Sequence, residues 1–355
     1  MNFELTKEQQ MIRDMVREFA QAEIAPYARE LDEKHEFRKE SFDKMAELGL
    51  FGIPFPEQYG GSGGDTISYA LAVEEIGRAC GGTGLSYAAA VSLGATPFYN
   101  FGTEEQKQKW LPKSVTGELI SAVAMTEPGA GSDLAGIGTT ARREGDTYIL
   151  NGEKTFITNG INADYVVVVC KTDPHAQPAY KGISLIVVET GTSGFKRGKK
   201  LDKIGMHSAD TGELIFEDAK VPVENLLGEE GKGFYYLMNK LQQERLIVAI
   251  EVQIEAEEML KLTTNYVKER KAFGSRIADF QNTQFKLAEM ATEIDIGRTY
   301  VNSLTRKHIA GEEIVKEVSM AKWWISEMAK RVASECLQLH GGYGYMEEYE
   351  IARRY

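Results

Sequence analysis

Cysteine is scarce in this sequence of 355 residues. The three cysteines, Cys80, Cys170 and Cys336, have neither CxxC nor metal-ligand spacing, which argues against a disulfide framework and against a zinc site. We therefore predict no bound metal and a reducing compartment, the cytoplasm.

Net positive charge is also missing, because the formal net charge is −12. A nucleic-acid partner needs a clustered basic face, and the short basic run at 196–200 is interrupted by Gly198 and followed by Asp202. We interpret that run as a solvated loop and expect no nucleic-acid partner. No stretch approaches the roughly 18 apolar residues of a membrane helix, and the first residues lack the basic flank of a secretory signal. We expect no membrane span and no signal peptide.

The sequence contains helical patterns at both ends and strand patterns between them. Thr6 with Gln9, and Thr103 with Gln106, are capping boxes that predict helix starts. Short β-branched or aromatic runs predict strands at 147–150, 154–158, 165–170, 183–188 and 213–216. Helical periodicity returns from Gly233 onward.

This order predicts an α+β multidomain protein rather than a doubly wound α/β fold, in which strands and helices would alternate. We predict an N-terminal helical domain over 1–120, a middle domain of antiparallel strands over 121–232, and a C-terminal helical bundle over 233–355. The strand spacing leaves a small barrel and a sandwich both open.

Two motifs lie in the predicted middle domain. Residues 125–133 read MTEPGAGSD, in which glycines allow close backbone approach and hydroxyls suit polar or anionic atoms. Alternatively, the same residues could form a structural turn that binds no ligand. Residues 156–160 read FITNG, which by spacing alone favours an Asn-Gly hairpin over a ligand site. GxGxxG after a strand is absent, so a Rossmann site is not supported.

Two further motifs lie in the predicted bundle. Residues 270–274 read RKAFG and are followed by Gln281, whereas residues 338–345 read QLHGGYGY. The second motif could be a plain helix C-cap. Both motifs would also suit the phosphates and adenine of a dinucleotide, through an Arg charge and close backbone approach.

These four motifs, in this order, resemble the flavin motifs of the acyl-CoA dehydrogenases, and the resemblance covers the chain from Phe3 to Tyr355. The long-chain enzyme is the nearest match within that family. The resemblance implies an N-terminal helical domain, a middle antiparallel β-barrel and a C-terminal four-helix bundle. It also implies a homotetramer with FAD at subunit interfaces.

The resemblance assigns roles by position. Met125, Thr126 and Thr158 would contact the isoalloxazine ring, Phe156 would pack against it, and Ser132 would serve the FAD pyrophosphate or the acyl-CoA. The adenosine diphosphate half of the neighbouring subunit's FAD would be held by Arg270, Phe273, Gln281, Gln338 and Gly342.

The family's reaction needs a carboxylate that removes the α-proton of an acyl thioester. Most members place this Glu near the C-terminus, beyond the position of Tyr355, so we expect the C-terminal bundle to be incomplete at its C-terminus. A minority, including the isovaleryl-CoA and long-chain enzymes, carry Glu directly before Arg on a bundle helix. Glu244 and Arg245 match that minority, with Arg245 shaping the substrate site. The alternative is a surface ion pair between Glu244 and Lys240.

The resemblance thus implies oxidation of an acyl-CoA to a trans-2-enoyl-CoA in fatty acid β-oxidation, with electrons passed to electron-transferring flavoprotein. Two alternatives remain open. One is an acyl-CoA oxidase or a flavin monooxygenase on the same fold. The other is a catalytically inactive protein that binds acyl-CoA or flavin.

Overall fold

The computed structural model describes residues 4–355, so the first three residues of the predicted N-terminal domain lie outside the described part. Seven helices and a π-helical segment, Ala89–Ala95, precede the first strand. The helices are α1 (Lys7–Glu23), α2 (Ala28–Lys34), α3 (Lys39–Glu47), α4 (Thr66–Ala79), α5 (Gly81–Ala88), α6 (Thr96–Phe101) and α7 (Glu104–Val115).

Both predicted capping boxes are present in the N-terminal helices. Thr6 and Gln9 cap α1, and Thr103 and Gln106 cap α7, with the side chain and backbone of each pair bonded reciprocally. These contacts satisfy amide groups that have no partner inside the helix. The all-helical prediction for this region is confirmed within the described residues.

The middle region forms one seven-stranded sheet that curls without closing into a barrel. Its strands are β1 (Ser121–Ala124), β2 (Thr140–Glu144), β3 (Thr147–Thr158), β4 (Tyr165–Lys171), β5 (Ile183–Glu189), β6 (Phe195–Lys200) and β7 (Thr211–Pro222). The order is β1-β4-β2-β3-β7-β6, with β5 paired to β4. A single sheet rules out the sandwich, and the result is the curled half-barrel form of the predicted middle domain.

Three details of this sheet differ from the sequence-based expectation. The basic run at 196–200, interpreted as a solvated loop, belongs to strand β6, although its lysine and arginine side chains are exposed. The runs at 147–150 and 154–158 form one strand, β3, whose pairing with β7 is interrupted by register shifts. Strand β1 runs parallel to β4, in contrast to the antiparallel β2–β3, β3–β7, β4–β5 and β6–β7 pairs. Parallel pairing is possible here because β2 and β3 lie between β1 and β4 in the chain and supply the long crossover.

Three long helices and one short helix dominate the C-terminal region. They are α8 (Gly233–Glu269), α9 (Gln281–Ile309), α10 (Val315–Leu339) and α11 (Glu350–Arg354), with a two-stranded ribbon of β8 (Lys271–Ala272) and β9 (Ser275–Arg276) between α8 and α9. Val318, Ile325 and Met328 of α10 are fully buried, as their spacing predicts. Helix α8 also packs against α4 and α5, so the two helical regions share one apolar core.

Candidate active site

Glu244 lies in the first half of α8, facing the π-helical segment Ala89–Ala95. Its Oε2 atom is 2.8 Å from Ser92 Oγ, and that hydroxyl is also 2.7 Å from the Ala88 carbonyl oxygen, so two acceptors share one proton. Its Oε1 atom is shielded from solvent and has no hydrogen-bond partner within the described residues. This carboxyl therefore has one oxygen free to accept a proton.

Burial raises the pKa of Glu244 to about 7, although the Ser92 hydrogen bond and the positive charge of Lys240 both act to lower it. A carboxyl with such a pKa is a competent base near neutral pH, since it is substantially ionised and still binds a proton well. The alternative of a surface ion pair between Lys240 and Glu244 is not observed among the described contacts, where Ser92 is the partner of the carboxyl.

A narrow cavity of about 20 Å³ joins Glu244 to the end of strand β1. Its walls are mostly apolar, and they include Met125 on the side of the sheet and Tyr236 and Leu237 on α8. The structure thus brings together the predicted base and one predicted flavin contact, although they are more than a hundred residues apart in the chain.

The backbone from Met125 to Glu127 is held against β3 by a buried ion pair. Lys154 Nζ donates to Glu127 Oε1 at 2.8 Å and to the Met125 carbonyl oxygen at 3.0 Å. The Thr155 amide donates to the Thr126 carbonyl oxygen at 2.9 Å. The sequence did not predict this ion pair, because a single Lys in a strand pattern is usually a solvated residue. The local strand pattern carried no signal for its burial, because Thr155 and Ile157 alternate with Lys154 and mark the opposite face of the strand.

The loop glycines and hydroxyls of the first motif lie beside the exposed end of β3. Thr126 and Thr158 are half-buried, Ser132 is exposed, and Phe156 keeps 66% of its surface exposed. Phe156 has φ +59, a conformation that few side chains adopt without a constraint. Its position within a register shift of β3 turns the ring outward, so it is available to a planar ligand.

The hairpin interpretation of Asn159-Gly160 is wrong, because the strands on either side of this turn, β3 and β4, do not pair with each other. Asn159 is buried at φ +62 and its side-chain amide donates to the Ser86 carbonyl oxygen at 2.9 Å. The turn therefore attaches the sheet to α5, which holds the end of β3 near the helices.

The motifs of the C-terminal region form a second, much larger cavity of about 610 Å³. Arg270, Gln338 and Gly342 line it, together with Tyr266 and Tyr343. The Arg270 guanidinium lies 5.3 Å from the centre of the Tyr343 ring. A cation, amides and aromatic faces are groups that suit phosphates and an adenine ring.

The remaining residues predicted for this half do not line the cavity. Phe273 is 98% exposed at φ +53, and Gln281 is exposed beside Asn282, which lines the cavity. A Cβ built on Gly342 would meet no atom within 4 Å, so the backbone there is open to a ligand. The residues present therefore fit the diphosphate and adenine of a dinucleotide.

The two cavities lie far apart within one chain. Helix α8 carries Glu244 near one and Arg270 at its end near the other, and the helical rise separates these residues by about 39 Å. Arg245, predicted to shape the substrate site, is half-buried and makes no hydrogen bond or ion pair within residues 4–355. The residues predicted for the two halves of FAD therefore do not meet in a single chain.

The helical region, the curled sheet and the helical bundle place a shielded carboxyl beside an apolar cavity, and the family profiles that these three regions match are those of a flavoprotein oxidoreductase. The sequence matches family profiles for the acyl-CoA dehydrogenase N-terminal domain over residues 6–118, the middle domain over 122–219 and the C-terminal domain over 231–355. The chain belongs to the acyl-CoA dehydrogenase family and is an acyl-CoA dehydrogenase by that membership. Among residues 4–355, none of the helices combines the length and the hydropathy that a bilayer span requires.

Individual relatives agree with the family profiles. The chain is 50% identical to the probable acyl-CoA dehydrogenase YngJ of Bacillus subtilis over 353 residues, which cover 99% of this chain and 93% of that one. It is 47% identical to the mouse mitochondrial long-chain specific acyl-CoA dehydrogenase over 353 residues, covering 99% of this chain and 81% of that one.

Two solved structures superpose closely on this chain. An acyl-CoA dehydrogenase from Geobacillus kaustophilus gives a TM-score of 0.95 at 57% identity, covering 99% of this chain and 92% of that one. A chain in a structure described as the electron transferring flavoprotein of Acidaminococcus fermentans gives a TM-score of 0.96 at 46% identity, covering 100% and 93%.

Proposed function

We propose that this chain oxidises an acyl-CoA thioester to the trans-2-enoyl-CoA, with Glu244 as the base that removes the α-proton. The observation that carries the proposal is the shielded, unpartnered Oε1 of Glu244 in the cavity that Met125 also lines. The free oxygen accepts the proton, and the apolar wall keeps water away from the carboxyl. Ser92 orients the other oxygen.

The cofactor of this reaction is FAD. When bound, it supplies the acceptor for the β-hydride. Met125, Thr126 and Thr158 would contact its ring and Phe156 would pack against it, while Lys154 and Glu127 fix the backbone that carries two of these residues. Ser132, which is exposed on the loop, would contact the pyrophosphate or the acyl-CoA.

The adenosine diphosphate half belongs to the second cavity. Arg270, Gln338 and Gly342 would hold it from within that cavity, and Phe273 and Gln281 would contact it from outside the cavity. Because about 39 Å separates this cavity from Glu244 along α8, these residues would serve the FAD of a neighbouring subunit. That separation supports an oligomer in which neighbouring subunits share the cofactor site, and the homotetramer is the assembly that we propose.

We further propose electron-transferring flavoprotein as the electron acceptor and fatty acid β-oxidation in the cytoplasm as the setting. The similar chain in the Acidaminococcus structure supports the acceptor, and three buried, unpaired cysteines among the described residues support a reducing compartment. The division at 120/121 and 232/233 is proposed as the domain boundary. Arg245 is proposed to shape the substrate site beside Glu244.

Anaerobic titration of the purified holoenzyme with acyl-CoAs of different length and branching tests this function. We expect loss of the flavin absorbance with at least one acyl-CoA and slow reoxidation in air. Rapid formation of peroxide would instead support an oxidase. Unchanged flavin absorbance with every acyl-CoA would contradict the proposal and support a catalytically inactive binding protein.

A further inference from the structure

The cavity at Glu244 runs along helix α8. The helix lines it with one face, whose residues recur at helical spacing: Tyr236, Leu237, Lys240, Leu241 and Glu244. The segment opposite, formed by the π-helical turns and α6, lines it with Ser92, Leu93, Pro97 and Phe101.

Two contacts join these segments and fix how they run. Glu244 is bonded to Ser92, and the Tyr236 ring is stacked on the Phe101 ring with centroids 4.3 Å apart. The segments are therefore antiparallel, and each contact lies at one end of the lining. The helical rise over the eight residues from Tyr236 to Glu244 separates the two ends by about 12 Å.

The stacked rings form a fixed wall at the far end. The Glu229 amide donates to the Tyr236 hydroxyl oxygen at 3.1 Å. Gly228 packs against the same ring, since a Cβ built there would lie 2.5 Å from Tyr236 Cε2. Movement of the ring would break the stack and the hydrogen bond together, and each contributes a factor of about 2 to 10 to an equilibrium.

Little space remains between the base and this wall. The cavity holds about 20 Å³, whereas a single water needs about 10–15 Å³ of such volume. A methylene group is similar in size to a water, so about one or two carbons fit beyond the α-carbon. The length along α8 would admit a longer tail, but volume is the tighter limit because Leu93, Leu237 and Leu241 fill the space between the segments.

We propose that this chain acts on short acyl-CoAs, with an acyl group of about four carbons, and that the Phe101–Tyr236 stack excludes longer chains. This inference rests on the proposed function and specifies its substrate class. The α-carbon must lie at Glu244, so the rest of the acyl group occupies the cavity between Glu244 and the stack. A longer tail has to displace the rings, and that cost is carried into the transition state.

This class is shorter than that of the long-chain enzyme, the nearest match by sequence. The difference is physically reasonable, because chain length is selected by the few side chains that close the cavity. A match over the whole chain reports the shared fold and the shared reaction.

A series of straight-chain acyl-CoAs tests the substrate class on the holoenzyme. We would measure the second-order rate constant of anaerobic flavin reduction by butyryl-, octanoyl- and palmitoyl-CoA. We expect butyryl-CoA to exceed octanoyl-CoA by about 10–100-fold, the combined cost of the stack and the hydrogen bond, and palmitoyl-CoA to be no better than octanoyl-CoA. A rate constant for octanoyl-CoA or palmitoyl-CoA that equals or exceeds that for butyryl-CoA would overturn the inference.

Variants assign the effect to the stacked rings. Tyr236→Ala should raise the rate constant for octanoyl-CoA by about 10-fold or more and change that for butyryl-CoA little. Phe101→Leu should act in the same direction, whereas Tyr236→Phe, which keeps the ring, should retain most of the preference. Phe195→Leu removes one ring of the Phe195–Phe216 stack in the sheet and should keep the parent preference. An unchanged ratio of octanoyl-CoA to butyryl-CoA in both Tyr236→Ala and Phe101→Leu would overturn the role of the stack.

Binding of thioethers separates this inference from the proposed function. S-butyl-CoA and S-octyl-CoA lack the carbonyl that makes the α-proton acidic, so calorimetry measures their affinity without flavin reduction. We expect S-butyl-CoA to bind about 10-fold or more tightly than S-octyl-CoA, and equal or tighter binding of S-octyl-CoA would overturn the inference. If no acyl-CoA reduces the flavin, the proposed function fails, and the thioether ratio still tests the wall. If long acyl-CoAs reduce the flavin fastest, the proposed function stands and the inference fails.

Discussion

The cavity at Glu244 and the cavity at Arg270 differ in size and in how far the chain encloses them. The cavity at Glu244 is narrow, about 20 Å³, and is enclosed by α8, the π-helical segment and the end of β1. The cavity at Arg270 is about 610 Å³ and is lined by polar groups and aromatic rings, including Gln338 and Tyr343. A catalytic base gains from enclosure, which raises its pKa and excludes water. A dinucleotide half needs an open cleft with polar groups at its wall.

Under the proposed function, the two ends of α8 have different roles. Glu244 would remove the proton in the chain's own site, and the residues around Arg270 at the far end of the helix would bind the cofactor of a neighbouring subunit. Variants at the two cavities should therefore fail in different ways, which the following predictions use in order of decreasing effect.

The largest effect should come from Glu244→Gln, which keeps the shape of the side chain but removes the base. We expect the rate constant of flavin reduction by acyl-CoA to fall by about 10²–10⁴-fold, the usual contribution of general base catalysis. FAD content should stay unchanged, because Glu244 lies far from the Arg270 cavity. The measurement is rapid anaerobic mixing, with Glu269→Gln as the matched control; reduction at the parent rate would show that another group is the base.

Lys154→Met should destabilise the fold around the cavity at Glu244. Removal of Lys154 leaves Glu127 buried without its cation, and breaking a buried ion pair costs about 3–5 kcal/mol. We expect a clearly lower urea midpoint for the holoenzyme and weaker flavin binding through the Met125 loop. Lys196→Met, which breaks the exposed Lys196–Glu217 pair, is the control and should leave the midpoint nearly unchanged. Equal midpoints for the two variants would contradict the structural role of Lys154.

Arg270→Gln should act on cofactor retention. If Arg270 contacts an FAD phosphate as proposed, its loss should weaken FAD binding by about 10–100-fold, since charge-assisted hydrogen bonds are worth about 1.5–3 kcal/mol. We would measure the dissociation constant by fluorescence of released FAD. Arg276→Gln removes an exposed Arg that is paired with Asp279 and serves as control. An unchanged dissociation constant for FAD in Arg270→Gln would contradict the proposed role of this cavity in FAD binding.

The smallest effect should come from Ser92→Ala. The Ser92 hydrogen bond lowers the pKa of Glu244, so its loss should raise that pKa and move the basic form of the enzyme to higher pH. We expect the pH at which flavin reduction reaches half of its maximal rate constant to rise slightly, with little change in the maximal rate constant itself. A shift to lower pH would contradict the bond between Ser92 and Glu244.

Much of the fold could be predicted from the sequence, because the local sequence signals and the tertiary packing favour the same helices. The capping boxes at Thr6 and Thr103 form as predicted, and the periodicity of α10 buries the expected face. The parallel pairing of β1 with β4 could not be predicted from the sequence, because it depends on contacts between segments far apart in the chain.

The site was predictable in part. The resemblance named Glu244 and Met125, and the structure places both at one cavity. Sequence patterns could not show that Ser92 would bond Glu244 or that Asn159 would tie the sheet to α5, since both contacts form across the core between distant segments. The hairpin interpretation of Asn159-Gly160 failed for the same reason, because strand pairing is decided by the whole sheet.

The pH dependence of flavin reduction tests the central claim most directly, namely that a shielded Glu244 is the base. Rapid anaerobic mixing of the holoenzyme with one acyl-CoA between about pH 5 and pH 9 should give a rate constant that rises with pH as Glu244 loses its proton, with a midpoint near its pKa of about 7. A rate constant that is already maximal at pH 5 would mean an ordinary exposed carboxylate and would contradict the account.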